Sequence, residues 1–281
     1  MSLPFIDADE VGRRLAAPQA ADALEAALLN GLDPEADPPR GMVELDRGQL
    51  LVMPSGAAGH PVVKLVTVGG EPRIQGVCVI FDGATLAPVA LVDGIAVTNV
   101  RTAAVSALAV RHLAVPEAQR LLVFGRGPQA HAHVEALRAV RPIERVDMVG
   151  SDHGPLDELV AAADIVCCCT TAREPLFDGA LVADHAVVVA IGSHEPAVRE
   201  TDDALAARST IVVESRASAL GEAGDVILAI EAGATAPGEL VTLAELVRGE
   251  GRPAPGRPRL FKSTGMAWED AVLASSLVLA R

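Results

Sequence analysis

Gly125, Gly127 and Ala130 stand in the spacing G-x-G-x-x-A within LLVFGRGPQAHAHVEALRAV, after an apolar run and at the start of a helical one. A chain needs that spacing to bring its backbone against a diphosphate. Gly125 permits the tight turn, Gly127 leaves room for the pyrophosphate, and Ala130 lets helix and strand pack closely. Pro128 and Gln129 open the helix, whose positive end meets the anion. The chemistry implied is the binding of a dinucleotide, NAD or NADP. The next strand, VDMVGSDHG, should end at the residue that contacts the adenosine ribose, and Ser151 and Asp152 occupy that place. An acid there favours NAD, whereas an Arg favours NADP, so the balance leans to NAD. Thr170 follows the strand DIVCCC, at the level where a doubly wound sheet presents its strand ends to ligand.

Lys64 is a second candidate, because it sits between Val63 and Leu65 in the apolar strand PVVKLVTV. A charge among apolar neighbours is costly unless it has a task. The four cysteines, Cys78 and the run Cys167, Cys168 and Cys169, suggest no metal centre. Neighbours in a strand point to opposite faces, so the run cannot chelate one zinc ion, and buried strand cysteines are expected.

The elements that must position these residues follow from the hydrophobic pattern. Residues 5 to 30 carry apolar positions at helical spacing, and between 42 and 98 the chain reads as short strands, MVEL, LLVMP, PVVKLVTV, GVCVIFD, LAPVALVDG and IAVTNV. RTAAVSALAVRHLA is a linking helix, with Ala104, Leu108, Val110 and Leu113 close to one face. From Leu121 strands alternate with helices, through LLVFG, VDMVG, DIVCCC, AVVVAIG and STIVVES. That order predicts βαβ units around a Rossmann-type, doubly wound parallel sheet, beside a separate α+β domain. AWEDAVLASSLVLAR is a final helix, expected to return to the first domain.

Composition agrees with an α/β protein and narrows its partners. Half of the 281 residues are hydrophobic and only 2% aromatic, so Ala, Val and Leu must fill the core. The net charge of −14 disfavours nucleic acid and anionic membranes, and an anionic substrate therefore needs a local basic pocket. No apolar run reaches the roughly 18 residues of a membrane span, and MSLPFIDADE lacks the pattern of a signal sequence, so a cytoplasmic protein is expected.

TNVRTAAVSALAVRHLA, followed shortly by LLVFGRGPQA, resembles the ornithine cyclodeaminase/mu-crystallin family. The likeness extends over LLVMPS, VVKLVTV, CTTAREPLFDG, AIGSHEPAVRE and FKSTGMAWED. It implies a substrate-binding and dimerisation domain of residues 1–115 plus 258–281, a Rossmann domain of residues 116–257, and a homodimer. It also implies chemistry at the α-carbon of a small amino or imino acid with a nicotinamide cofactor. By motif, Arg40, Lys64 and Arg101 face the substrate carboxylate and reacting carbon, while Thr102, Ser263 and Gly265 lie near the cofactor. An α-carboxylate leaving water needs charge-assisted partners, and an Arg can grip both oxygens. Two positions depart from the cyclodeaminases. His194 in GSHEP replaces their Asp, and Leu51, two residues before Met53, replaces their Glu. Histidine is the side-chain type whose charge changes nearest neutral pH, which makes His194 a candidate proton donor. The resemblance with these departures implies an NAD(P)H-dependent reductase of a small α-imino acid, a cyclic or open-chain ketimine, or in reverse an amino-acid dehydrogenase. The alternatives are an ornithine cyclodeaminase in which His194 serves as the acid, and a non-catalytic ligand carrier of the mu-crystallin kind.

Overall fold

A computed structural model describes residues 3–152 and 154–279. The chain divides into two compact units, residues 1–105 with 266–281 and residues 106–265.

The first unit opens with β1 (Phe5–Ile6), α1 (Ala8–Arg14) and α2 (Ala17–Leu29). Asp7 starts α1 by accepting a hydrogen bond from the Glu10 amide at 2.9 Å. The strands β2 (Gly41–Leu45), β3 (Gly48–Ser55), β4 (Val62–Val68), β5 (Ile74–Phe81) and β6 (Pro88–Asp93) complete a six-stranded sheet in the order β1-β6-β5-β4-β3-β2. The pairs from β2 to β6 are antiparallel, and β1 joins β6 in parallel. Lys64 lies on β4, opposite Met53 of β3 and Cys78 of β5. Residues directly opposite one another share a face, and this row is buried from Met53 to Cys78.

IAVTNV is not the further strand that its β-branched residues suggest. It is the start of α3 (Gly94–Leu113), with Asp93 accepting hydrogen bonds from the amides of Ile95 and Ala96 at 2.9 and 2.8 Å. The cap outweighs the local strand propensity. Residues 101 to 110 of α3 are all buried, so the helix shows little of the polar stripe by which a surface helix is recognised.

The second unit holds β7 (Arg120–Phe124), α4 (Pro128–Val140), β8 (Arg145–Val149), α5 (Asp157–Ala162), β9 (Ile165–Cys168), β10 (Val187–Ala190), α6 (Asp203–Arg208), β11 (Thr210–Val213), α7 (Arg216–Glu222), α8 (Gly224–Glu231), β12 (Val241–Thr242), α9 (Leu243–Val247) and β13 (Arg259–Lys262). Its seven strands run parallel in the order β12-β11-β13-β10-β9-β7-β8. The chain moves outward from β7 to β8, then crosses to β9 on the other side. The ligand-accepting crevice of such a sheet lies at that reversal, at the strand ends. The five apolar segments from Leu121 onward form β7 to β11 in turn, whereas β12 and β13 were not foreseen. Because β13 lies between β10 and β11, residues 259–262 belong to the second unit, and the change of unit comes after Gly265 rather than at residue 258. The earlier division falls inside α3 rather than after residue 115.

The last helix, α10 (Ala267–Leu279), packs against β4, β3 and α2 in the first unit, as expected for AWEDAVLASSLVLAR. Among the described residues, no helix is long and apolar enough to cross a membrane.

Candidate active site

Three elements of the first unit meet around Lys64. The side chain is 1% exposed, and its ammonium is 2.6 Å from Asp270 Oδ2 of α10 and donates to Thr98 Oγ1 of α3 at 3.3 Å. Thr98 in turn donates to the Gly94 carbonyl one turn earlier, at 2.7 Å, which fixes its hydroxyl. Arg101, one turn farther along α3, donates from Nη1 to Glu269 Oε2 at 2.9 Å and places Nε 3.5 Å from Asp270 Oδ1. Two cations and two carboxylates thus neutralise one another inside the unit.

Burial lowers the Lys64 pKa, because desolvation penalises the ammonium; Asp270 acts in the opposite direction. An amine so placed can both hold a proton and release it. Glu269 and Asp270 lie in the first turn of α10, where the helix dipole favours negative charge. Cys78, also buried, is held well above the usual thiol range by desolvation and stays protonated.

Arg40 lies just ahead of β2 and is half-buried. Its loop is tethered at Asp37, which accepts a hydrogen bond from Ser55 Oγ at 2.7 Å and another from the Trp268 backbone. Burial, the largest influence, raises the Asp37 pKa, and the nearby charge of Asp270 adds to the effect. Of the three basic residues expected to face the substrate, the structure joins Lys64 and Arg101 through the shared carboxylate of Asp270. It brings the loop ahead of Arg40 to the start of the same helix.

The second unit carries the dinucleotide turn. Gly125 has φ +115°, and a Cβ built there would meet the Cys169 carbonyl oxygen at 2.5 Å, so only glycine fits. Gly127 caps α4, and a Cβ built on it meets nothing within 4 Å, which leaves open space before the helix amides. Pro128 occupies the first turn, and Ala130 is buried under the helix. This arrangement fits a dinucleotide diphosphate.

Ser151 and Asp152 are exposed beyond β8, where Asp152 accepts from Arg126 of the glycine loop at 2.9 Å. Thr170 is held by Glu200, which accepts from its amide at 3.0 Å and its hydroxyl at 2.7 Å. Ser263 donates to Glu214 at 2.7 Å, and the same carboxylate accepts from the Gly265 amide at 3.0 Å. These contacts shape the loops at the strand ends and leave the Ser263 and Thr170 hydroxyls engaged with protein. Thr102 donates to the Thr98 carbonyl within α3, at 2.7 Å. Gln129 lends its carbonyl to His133, 2.7 Å from Nδ1. His194 is exposed in the loop after β10.

Six residues of this constellation were not foreseen: Asp37, Thr98, Glu200, Glu214, Glu269 and Asp270. The signal for the last two was available, since a buried Lys and Arg require counter-charges, and the pair Glu269-Asp270 stands in an otherwise uncharged helix.

With the geometry in place, comparison with known proteins decides the family. The ornithine cyclodeaminase/mu-crystallin family matches residues 4–155 and 154–278. The chain belongs to that family. It is 34% identical to ketimine reductase mu-crystallin of Rattus norvegicus, over 96% of this chain and 95% of that protein. It is also 34% identical to a Delta(1)-pyrroline-2-carboxylate reductase of Colwellia psychrerythraea, over 74% of this chain and 73% of that one. The solved Delta(1)-pyrroline-2-carboxylate reductase of Thermococcus litoralis, in complex with NADH and L-proline, superposes with a TM-score of 0.88 at 26% identity, covering 99% of this chain and 98% of that one. Family membership carries with it the two-domain α/β architecture described above.

Proposed function

We propose that this protein is an NAD(P)H-dependent reductase of small α-imino acids, cyclic ketimines such as Delta(1)-pyrroline-2-carboxylate included, which in reverse acts as an amino-acid dehydrogenase. The observation that carries the reading is the buried Lys64–Asp270 and Arg101–Glu269 cluster in a chain of this family.

The Gly125–Ala130 turn would hold the dinucleotide, which when bound would supply the hydride that reduces an imine. Arg101 and Arg40 hold the substrate carboxylate, with the Arg101 fork already oriented by Glu269. Lys64 Nζ delivers the proton that the substrate nitrogen needs, and Asp270 keeps the ammonium in place at 2.6 Å. The reaction consumes one hydride and one proton and yields the amine. His194 is a second proton source on the loop after β10. The lean to NAD rests on Asp152, although its partner Arg126 offers a cation that a ribose phosphate could use.

Leu51 favours reduction over cyclodeamination of ornithine. It is buried and apolar where the cyclodeaminases are expected to carry a Glu, and it cannot hold a second substrate ammonium. The protein acts as a homodimer, for which the exposed apolar strand β2 is the support, and in the cytoplasm, which suits its four free cysteines.

The test is oxidation of NADH or NADPH by the purified protein with a panel of cyclic and acyclic α-imino acids, and with ornithine as the opposing substrate. Turnover of an imino acid that falls at least about 100-fold in Lys64→Ala and Arg101→Ala is expected. Ammonia and proline from ornithine without net cofactor change would overturn the reductase and point to His194. Tight dinucleotide binding with no turnover would leave a ligand carrier.

A further inference from the structure

Cys167 and Cys169 occupy alternate positions of an extended segment, and their sulfurs are 3.5 Å apart on one face. Cys168, between them, turns the other way and joins the apolar core with Val166 and Phe124. The rule that neighbouring strand cysteines diverge therefore separates Cys168 from both others and brings Cys167 and Cys169 together. His133 of α4, fully buried, adds a third ligand atom, and its ring nitrogen and the two sulfurs all lie within 4.8 Å of one another.

The histidine is already set up as a ligand. Nδ1 is 2.7 Å from the Gln129 carbonyl oxygen, which can only accept, so Nδ1 carries the proton. Nε2 is the acceptor and takes the Ser106 hydroxyl at 2.9 Å, a contact that an incoming ion would displace. Metal-binding histidines characteristically donate their far N–H to such an oxygen. The sulfur spacing also suits a metal. Two thiolates at about 2.3 Å from one zinc ion, at the tetrahedral angle, stand about 3.8 Å apart. Soft sulfur with imidazole selects a thiophilic ion over magnesium or calcium. Cys169 is half-buried and gives the ion a way in.

We propose that His133, Cys167 and Cys169 form a site for one thiophilic d10 cation, Zn2+ or its analogue Cd2+, with a fourth coordination position left to water. The site lies outside the residues assigned to the reaction. Its Cys169 backbone carbonyl lies directly beneath Gly125, and His133 stands one turn after Gln129 in α4. An ion held there fastens α4 to the end of β9 under the dinucleotide turn and raises the thermal stability of the protein.

The experiment titrates Cd2+ into the full-length protein, reduced with a phosphine and stripped of metal, and records the ultraviolet thiolate-to-cadmium absorption and the Tm. One Cd2+ per chain, displaced by Zn2+ and raising Tm, is expected. Cys167→Ser and Cys169→Ser should each weaken binding at least about 100-fold, beyond the loss of an outer hydrogen-bond partner. Cys168→Ser should bind as the wild type does, since its sulfur faces the core. Circular dichroism verifies the fold of each variant, and Cys169→Ala, at the half-buried position, replaces Cys167→Ser if that protein does not fold. Absence of the absorption band in the wild type overturns the site, and so does binding that survives loss of Cys169 or disappears with Cys168.

Discussion

Asp270 and Lys64 depend on each other, because neither charge has water to turn to. Removing one member of a buried pair costs about 3 to 5 kcal/mol, since the partner stays charged and unmatched. Asp270→Asn should therefore lower the unfolding free energy by about 3 kcal/mol in a urea titration. It should also change the pH profile in a defined direction. Burial already lowers the Lys64 pKa, and the Asp270 charge is the main force holding it up. Without that charge the amine loses its proton at lower pH, so the alkaline limb of kcat/KM moves toward acid. An unmoved limb in a folded variant would show that Lys64 is not the proton donor. Lys64 itself was legible, because a lysine between valine and leucine in a strand is conspicuous. Its counter-charges were not, for acids in a first helical turn are common and the Arg101–Glu269 pair is 168 residues apart in sequence.

At the scale of elements, Glu200 joins the loops that follow β9 and β10. It accepts from the Thr170 amide and hydroxyl and, at 2.7 Å, from the Gly192 amide. Burial pushes its pKa up to about 7 from an ordinary 4.5, against the pull of Lys262, whose ammonium is itself 2.8 Å from Asp225. A raised folded-state pKa means that the fold binds the proton more tightly than the unfolded chain does. The stability this contributes is complete below about pH 4.5 and is lost as pH rises through about 7. Between pH 5 and 7.5 the wild type should lose roughly 2 to 3 kcal/mol more than Glu200→Gln, whose side chain does not titrate. Urea midpoints at the two pH values check this, and parallel slopes in the two proteins would remove Glu200 as the cause. The strands that border these loops were legible as apolar runs flanked by turns. β13 was not, because its four residues Arg259–Lys262 lie between two charged ends and gain their strand identity from β10 and β11 on either side. IAVTNV failed for the opposite reason, since its local preference was for strand and the Asp93 cap decided for helix.

For the whole molecule, the feature that asks for a partner is β2. It is the last strand of its sheet, paired on one side only by β3, and each of its five residues is exposed. Met42, Val43 and Leu45 are 58%, 49% and 47% exposed, although a lone edge strand is usually protected by charge, proline or a covering element. Glu44 is the single charged residue among the five. Pairing of this edge with its equivalent in a second copy would complete the backbone hydrogen bonds and cover those three side chains, in the self-complementary manner of a twofold interface. A stable dimer needs on the order of 800 Å² from each partner, so β2 would form the centre of the contact rather than the whole of it. Val43→Glu together with Leu45→Glu places like charges across the twofold, which costs several kcal/mol. Light scattering should then show the wild type at twice the chain mass of 28.9 kDa and the double variant at that mass. Because both residues are exposed in the single chain, the variant should keep its fold and its dinucleotide turn, so a loss of mass with an unchanged circular dichroism spectrum isolates the interface. A variant that remains dimeric would move the interface elsewhere, and a monomeric wild type would remove the dimer from the proposed function.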